Sequence, residues 1–295
     1  MKIIITGASG FLGQHLIKYF AKEELTTVGR TESTLTVHLD REVPILPKVD
    51  LVIHNAGKAH MVPRTPSEVQ EFFAVNVQGT KNLLTALTSQ DKLPGALVFI
   101  STIAVYGRDT GTMITEEAPL QATDPYGKSK IEAEKLVQKW CTAHQVPYAI
   151  LRLPLIAGAN PPGNLKSMIK GIKKRYYFNI AGGKARKSMV MASSIPPAIL
   201  PAVTAGGIYN LTDGHHPSFS ELSKLIALQL REKAPGSIPG WLAKTMSFVG
   251  TVFAKRSPLN KKSYKKMIND LTFDDAKARR SFGWSPVKVV DNFKI

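Results

Sequence analysis

The sequence predicts an α/β fold, with a doubly wound parallel sheet and a smaller C-terminal lobe. In the first half of the chain, short apolar runs alternate with segments of helical periodicity, which is the pattern of parallel strands joined by crossover helices. Beyond Pro154, pairs of Pro and Gly residues divide the chain into short elements. This change predicts a lobe built on the carboxyl ends of the strands, where open α/β sheets bind ligands.

The elements of the first half follow from their periodicity. Residues 2–6 form a continuous apolar run, typical of a buried strand, and the next segment gathers Phe11, Leu12 and Leu16 near one helical face. The predicted strands are residues 2–6, 26–28, 35–39, 50–54, 96–101 and 148–153. Two longer helices are predicted at residues 67–90 and 126–144.

Composition restricts the class of protein. The chain has 295 residues, of which 43% are apolar, so it can bury a sizeable core and is not disordered by composition. The N-terminus turns polar too early for a signal peptide, and no apolar stretch approaches the length of about 20 residues that a membrane helix needs, so we expect a cytoplasmic protein. Cys141, the only cysteine, excludes an internal disulfide and favours a small buried apolar role. We expect no metal site.

The net charge of +17 is concentrated in residues 166–187 and 255–266. Such a balance is compatible with nucleic acid, an anionic membrane or a phosphorylated ligand. Neither segment has the pattern of a nucleic-acid module, although Tyr176, Tyr177 and Phe178 lie within the first. We expect solvated faces that also attract phosphorylated ligands, and no nucleic-acid partner.

A peripheral membrane contact is the alternative that the charge leaves open. Residues 241–253, followed by Lys255 and Arg256, are compatible with an amphipathic helix that lies on a membrane surface. Packing of this stretch on its own lobe is the preferred interpretation.

A glycine-rich turn lies directly between the first strand and the first helix. Glycines are needed there so that the backbone can turn tightly and approach a pyrophosphate, which then sits at the helix N-terminus. The residues predicted to hold a dinucleotide at this turn are Gly7, Ser9, Gly10, Phe11, Leu12 and Gly13. We therefore expect an NAD(P)-binding Rossmann domain over residues 1–155, and over residues 156–295 a mainly substrate-binding lobe from which some segments return to the sheet.

The end of the second strand predicts which dinucleotide binds. NAD-dependent proteins place a carboxylate there, whereas a basic residue pairs with the 2′-phosphate of NADP. This strand ends at Gly29-Arg30, and Glu32 lies two residues further on. Arg30 therefore favours NADP(H), with NAD(H) as the alternative.

Two further strand ends are expected to contact the cofactor. Asp40 closes the third predicted strand and is placed to accept a hydrogen bond from the adenine amino group. Asn55, Ala56 and Gly57 close the fourth, where small residues let the loop pass close to the cofactor.

Tyr126 and Lys130 are the predicted catalytic pair. Residues i and i+4 of a helix share a face, and a nearby ammonium favours the phenolate of a tyrosine. Lys130 can also reach the nicotinamide ribose, so both residues are expected to contact the cofactor as well. Thr102, at the end of the fifth strand, is placed to hydrogen-bond the reacting oxygen of the substrate beside Tyr126. Asn76 lies in the helix before that strand, and a buried amide there predicts a structural or proton-relay role.

Taken together, these motifs resemble the extended short-chain dehydrogenase family, in particular its nucleotide-sugar 4-epimerases, 4-ketoreductases and dehydratases. Residues 207–211 and 283–286 are similar to the C-terminal lobe of that family. The resemblance implies a nucleoside-diphosphate sugar substrate, contacts to it from Asn164, Leu165 and Lys187, and packing of Pro154 near the nicotinamide. It also allows a homodimer.

Departures from the family pattern narrow the expected reaction. Ile103 and Ala104 stand where the dehydratases have an Asp-Glu pair, and Leu155-Ile156 replaces an asparagine of the epimerases. Ala192–Ile195 lacks the usual aspartate of that stretch. The leading hypothesis is a 4-ketoreductase of a UDP-linked deoxy sugar for surface polysaccharide. The alternatives are a nucleotide-sugar 4-epimerase with tightly bound NAD, and a non-catalytic NADP-binding regulator.

Overall fold

The computed structural model describes residues 1–59, 61–245 and 261–295. In chain order the strands are β1 (Lys2–Thr6), β2 (Glu24–Gly29), β3 (Leu35–Thr36), β4 (Leu51–His54), β5 (Ala96–Thr102), β6 (Gly111–Ile114), β7 (Tyr148–Leu153), β8 (Leu155–Ala157), β9 (Asn179–Ile180), β10 (Met189–Met191), β11 (Gly207–Asn210), β12 (Ser237–Ile238) and β13 (Leu271–Phe273). The main helices are α1 (Phe11–Tyr19), α2 (Pro66–Phe73), α3 (Gly79–Thr88), α4 (Pro125–Ala143), α5 (Gly163–Lys173), α6 (Ile195–Ala205) and α7 (Phe219–Gln229). Shorter helices follow at Lys261–Ile268, Ala276–Phe282 and Val289–Asn292.

A seven-stranded sheet has the order β11-β7-β5-β4-β1-β2-β3, and all its neighbours are parallel. The chain winds outward from β1 in one direction and from β4 in the other, so the carboxyl ends of β1 and β4 flank a topological switch point. Helices α1 and α6 cover one face of the sheet, and α3 and α4 cover the other. The predicted α/β class with a doubly wound parallel sheet is confirmed.

The C-terminal half contributes to both parts of the molecule. Strand β11 pairs with β7 and so extends the main sheet. The remaining elements form a smaller lobe, in which α5, α7 and β10 share an apolar cluster that includes Leu165, Met168, Met189 and Ile226. No helix in the described ranges is both long and apolar enough to cross a bilayer. Of the predicted amphipathic stretch 241–253, residues 246–253 lie outside the described residues.

Most predicted elements match the structure to within one or two residues at their ends, and two differ more. The third strand ends at Thr36 instead of Leu39. Val37 donates a last backbone hydrogen bond to Gly29 of β2, and the chain then turns away from the sheet while Leu39 stays buried in the core, so the apolar pattern imitates a longer strand. The predicted helix 67–90 begins one residue earlier, where Thr65 and Glu68 form a capping box, and is interrupted by a π-helical turn at Ala74–Gln78.

Candidate active site

A cavity of about 1060 Å³ opens at the carboxyl ends of the main-sheet strands. The segments that follow β1, β2, β4, β5 and β7 line it, as the switch-point rule for open α/β sheets requires. Most of the residues that the sequence predicts for cofactor binding are among the lining residues, namely Gly7, Ser9, Gly10, Phe11, Leu12, Arg30, Asp40, Asn55, Ala56, Gly57, Tyr126, Lys130 and Pro154.

The glycine turn leaves no room for side chains at Gly7 and Gly13. Gly7 has a φ of +66°, and a Cβ on it would lie 2.7 Å from the Cα of Ala56. A Cβ on Gly13 would lie 2.3 Å from the carbonyl oxygen of Gly7, so Gly13 serves the packing of α1 against the turn and does not line the cavity. Gly10, the N-cap of α1, provides no side-chain cap, which leaves the first N–H groups of the helix for an anion. A dinucleotide pyrophosphate fits this arrangement.

Hydrogen bonds fix the loop after β4 against the glycine turn. The amide of Asn55 donates to the carbonyl oxygen of Gly7 at 2.9 Å, and the backbone N–H of Ala56 donates to Thr6 Oγ1 at 3.0 Å. A Cβ on Gly57 would lie 3.2 Å from Asn76 Oδ1. The loop therefore lies close to the turn and forms a wall of the cavity.

Asn76 uses both ends of its amide for structural contacts. Its Oδ1 accepts from the N–H of Lys58 at 2.7 Å, and its Nδ2 donates to Lys58 O at 3.1 Å and to Ser129 Oγ at 2.9 Å. Ser129 in turn donates to the carbonyl oxygen of Tyr126 at 2.8 Å. Asn76 thus ties the β4 loop to the helix that carries Tyr126. It lies in the π-helical turn and does not line the cavity, which favours the structural one of its two predicted roles.

Tyr126 and Thr102 provide the two hydroxyl groups at the reacting end of the cavity. Helix α4 begins one residue before Tyr126 and is capped by Asp124, whose carboxylate accepts from the N–H of Gly127 at 3.0 Å. Desolvation in the cavity wall raises the pKa of Tyr126 to about 12, against a smaller opposing effect of the Thr102 hydroxyl. The phenol is therefore protonated at neutral pH.

Lys130 follows Tyr126 by one helical turn and is buried. Its ammonium donates to the carbonyl oxygen of Ile100 at 2.6 Å and lies 3.9 Å from the centroid of the Phe99 ring. Burial lowers the pKa of Lys130 to about 7, against the opposing effect of Glu134. The sequence led us to expect that Lys130 favours the phenolate of Tyr126. In this structure desolvation dominates the pKa of the phenol and the ammonium is directed at β5, so the effect of Lys130 on the phenolate stays a prediction.

Sequence reasoning missed a buried polar network beneath Lys130. Glu134 and Arg152 form an ion pair there, and Ser101 donates to the same carboxylate. Arg152 also donates to the hydroxyl of Tyr106 at 3.0 Å, which donates to Asn210 Oδ1 at 2.7 Å. The available signal was Glu134 itself, since a carboxylate four residues after Lys130 lies on the same helical face.

The strand end that selects the dinucleotide is basic. Arg30 directly follows β2 and lines the cavity together with Asp40 and Arg41, and the guanidinium of Arg41 lies 3.5 Å from the Asp40 carboxylate. Asp40 lies in a turn four residues beyond the end of β3, so it does not close that strand as predicted. Glu32 is exposed and does not line the cavity.

The three residues expected to hold the substrate diphosphate lie outside the cavity wall. Leu165 is buried in the core of the small lobe, and Asn164 is exposed on α5. Lys187 donates to the carbonyl oxygen of Asn269 at 3.0 Å, and its ammonium lies 6.0 Å from the centroid of the Phe219 ring. A role of these three residues in substrate binding therefore stays a prediction.

Apolar side chains surround the reacting end of the cavity. Ile103 follows Thr102 directly, and Leu155 and Ile156 follow Pro154 on β8, and all of them line the same cavity as Tyr126. No group of three His, Cys, Asp or Glu side chains that could hold a metal ion is found in the described part of the chain.

Known proteins are similar to this chain in sequence and in fold. The model of the NAD dependent epimerase/dehydratase family matches residues 3–191. The UDP-glucose 4-epimerase of Vibrio cholerae is 24% identical, with 99% of this chain and 93% of the relative covered. The N-acetyl-alpha-D-glucosaminyl-diphospho-ditrans,octacis-undecaprenol 4-epimerase of Escherichia coli O157:H7 is 26% identical, with 95% and 89% covered. The structure of RMD from Pseudomonas aeruginosa, solved with NADPH, aligns with a TM-score of 0.70 at 21% identity, over 98% of this chain and 94% of that one.

Proposed function

Because the chain belongs to the NAD dependent epimerase/dehydratase family, we propose that it transfers hydride at C4 of a nucleoside-diphosphate sugar, as a reductase of a 4-keto-6-deoxy sugar. Membership shows an NAD(P)-dependent sugar-nucleotide enzyme of the extended short-chain dehydrogenase type. The proposal adds the direction of the reaction and the kind of sugar. The single observation that carries it is the protonated Tyr126, held beside Thr102 at the apolar end of the cavity.

The proposed chemistry depends on two hydroxyls that face one oxygen atom. The Thr102 hydroxyl holds the 4-keto oxygen of the substrate, and the phenol of Tyr126 donates a proton to it as negative charge develops there. The bound dinucleotide supplies the hydride. Lys130, on the same face of α4, stabilises the resulting phenolate when it carries its proton. Asn76 connects the β4 loop to α4 and Asp124 caps α4, so both hold the helix that carries Tyr126 in position.

The protonation state of Tyr126 fits the reductive direction. A pKa of about 12 keeps the phenol protonated at neutral pH, as the proton donor that reduction of a keto group needs. Ile103 and Ala104, which follow Thr102, carry no group that could abstract a proton for dehydration. The apolar walls at Leu155 and Ile156 suit the methyl group of a 6-deoxy sugar.

The proposed cofactor is NADP(H). Arg30 and Arg41 both line the cavity beyond β2, and Asp40 is the lining carboxylate in that region. Arginine binds phosphate through charge-assisted bonds, and the absence of a carboxylate at the strand tip removes the usual partner of the NAD ribose.

A 4-epimerase is the second candidate, and the relatives favour it. Two of them, matched over nearly their whole length, are named as 4-epimerases, and one of these is named for a lipid-linked sugar diphosphate. For this chain, we propose that the sugar it produces is used for surface polysaccharide.

The deciding experiment compares both reactions in one preparation. Freshly purified protein is denatured and the released nucleotide is weighed by mass spectrometry, and NADPH oxidation with a UDP-4-keto-6-deoxy sugar is measured beside epimerisation of UDP-hexoses. We expect an empty site and NADPH oxidation. Tightly bound NAD together with epimerisation of a UDP-hexose would overturn the reductase in favour of the epimerase.

A further inference from the structure

Helix α5 of the small lobe has one apolar and one basic face. Leu165 and Ile172 are buried in the lobe core. Lys166, Lys170 and Lys173 are all exposed and follow the spacing i, i+4, i+7, so they share the opposite face. None of these lysines is among the residues that line the active-site cavity. Their charge is therefore not explained by binding of the cofactor or of the reacting sugar.

The surrounding segment has only one sign of charge. Residues 163–187 contain eight Lys or Arg residues and no Asp or Glu. Both arginines of this segment form ion pairs with carboxylates outside it, since Arg175 lies 2.8 Å from Glu232 and Arg186 lies 3.7 Å from Glu221. Within this segment, the exposed lysines of α5 form a basic stripe on the surface.

Large aromatic side chains continue the stripe beyond the end of α5. Tyr176 and Phe178 are 57% and 51% exposed. Phe178 lies beside Gly236, where a Cβ would be 3.6 Å from its ring, because β9 and β12 are paired at this edge of the lobe. Trp241, three residues beyond β12, is 73% exposed. The basic helix and three exposed aromatic rings thus belong to neighbouring segments of one lobe.

We propose that this surface, consisting of Lys166, Lys170, Lys173, Tyr176, Phe178 and Trp241, docks the protein onto a membrane that is rich in anionic lipids. Lysine side chains are attracted to the negative surface potential of such a membrane, and aromatic rings are stable at the level of the head groups. The lysines lie along α5, Tyr176 and Phe178 follow its end, and Trp241 follows β12. Single-stranded nucleic acid, by contrast, is bound by rings interleaved with basic residues along one groove. The inference does not rest on the reaction proposed above.

Vesicle co-sedimentation of the full chain tests the proposal. We expect binding to vesicles of phosphatidylcholine with phosphatidylglycerol, little binding to pure phosphatidylcholine, and release by high salt. The variant Lys166→Glu/Lys170→Glu/Lys173→Glu should bind at least about 100-fold more weakly. The matched control Lys81→Glu/Lys135→Glu/Lys139→Glu changes the net charge equally at exposed positions of α3 and α4, and should bind like the wild type.

Further variants separate docking from catalysis and from a general charge effect. The Tyr176→Ser/Phe178→Ser variant should bind anionic vesicles more weakly than the wild type, although its net charge is unchanged. The α5 variant should turn over soluble substrate like the wild type, and Tyr126→Phe should bind vesicles like the wild type even if the proposed reaction is wrong. Equal loss of vesicle binding in both lysine variants would overturn the proposal, as would tighter binding to random DNA than to anionic vesicles at physiological salt.

Discussion

The carboxylate of Glu134 and the guanidinium of Arg152 form a buried, two-pronged ion pair, with Nη2 at 2.8 Å from Oε2 and Nε at 3.1 Å from Oε1. The pair connects α4, which carries Tyr126 and Lys130, to β7, which lies next to the edge strand β11 in the main sheet. Both side chains are almost completely buried, so each charge depends on the other for compensation.

Removing the carboxylate should therefore destabilise the fold. Glu134→Gln leaves the guanidinium of Arg152 buried beside a neutral amide, and we expect a loss of about 3–5 kcal/mol in the free energy of unfolding. Urea unfolding measures this loss. The control is Glu132→Gln, an exposed position on the same helix, which should change the free energy of unfolding by no more than about 0.5 kcal/mol. Equal effects of the two substitutions would show that the ion pair does not matter for stability.

The low pKa of Lys130 predicts a pH dependence of stability. The unfolded chain holds the proton of this lysine up to its ordinary pKa of 10.5, whereas the folded chain without cofactor holds it only up to about pH 7. Between these values the unfolded state binds more protons, so the stability of the wild type should rise with pH. Lys130→Met should lack this rise. Urea unfolding of both proteins from pH 6.5 to 9.5 tests the prediction, and parallel curves for the two would contradict it.

The packing of the glycine turn predicts unequal effects of two alanine substitutions. A Cβ on Gly13 meets the Gly7 carbonyl oxygen at 2.3 Å, whereas one on Gly10 lies 3.2 Å from the same atom. Gly13→Ala should destabilise the protein by about 1–3 kcal/mol, because backbone must move to accommodate the methyl group. Thermal unfolding should show a clearly smaller effect for Gly10→Ala. If Gly10→Ala proves as destabilising as Gly13→Ala, the contact with Gly7 is not the cause.

Arg30 should determine the preference for NADP(H). Its charge-assisted bonds to a 2′-phosphate are worth about 1.5–3 kcal/mol, so Arg30→Ala should reduce the ratio of NADP to NAD affinity by about 10- to 150-fold. Titration with both dinucleotides measures the ratio. Arg280→Ala, an exposed arginine of a C-terminal helix, should leave it unchanged. An unchanged ratio in Arg30→Ala would assign the selectivity to another residue.

Much of the fold could be predicted from the sequence because parallel strands and amphipathic helices carry clear periodicities. Residues 148–153 form a strand with the predicted bounds. The glycine turn was recognisable since its spacing coincides with a strand-to-helix junction. The third strand was predicted too long, because burial of Val37 and Leu39 produces the same apolar pattern as sheet pairing.

The candidate site was predictable only where a local pattern determines it. Tyr126 and Lys130 are four residues apart on one helix, so their common face follows from the sequence. The partner of Glu134, in contrast, is 18 residues away on another element. The protonation of Tyr126 could not be predicted either, because desolvation depends on how the cavity walls pack around the phenol. Resemblance to a family suggested substrate contacts at Leu165 and Lys187, and these stay predictions, since Leu165 is buried in the small lobe and Lys187 donates to the carbonyl oxygen of Asn269.

Turnover of Tyr126→Phe is the most direct test of the central claim that this phenol donates the proton to the substrate oxygen. Loss of a positioned general acid lowers the rate by about 10²- to 10⁴-fold. We therefore predict a decrease of that size in NADPH oxidation with a UDP-4-keto-6-deoxy sugar, with NADPH affinity unchanged. Tyr19→Phe, which alters an exposed tyrosine on α1, should retain the wild-type rate. Near-wild-type turnover by Tyr126→Phe with the true substrate would contradict the assignment and require a different acid.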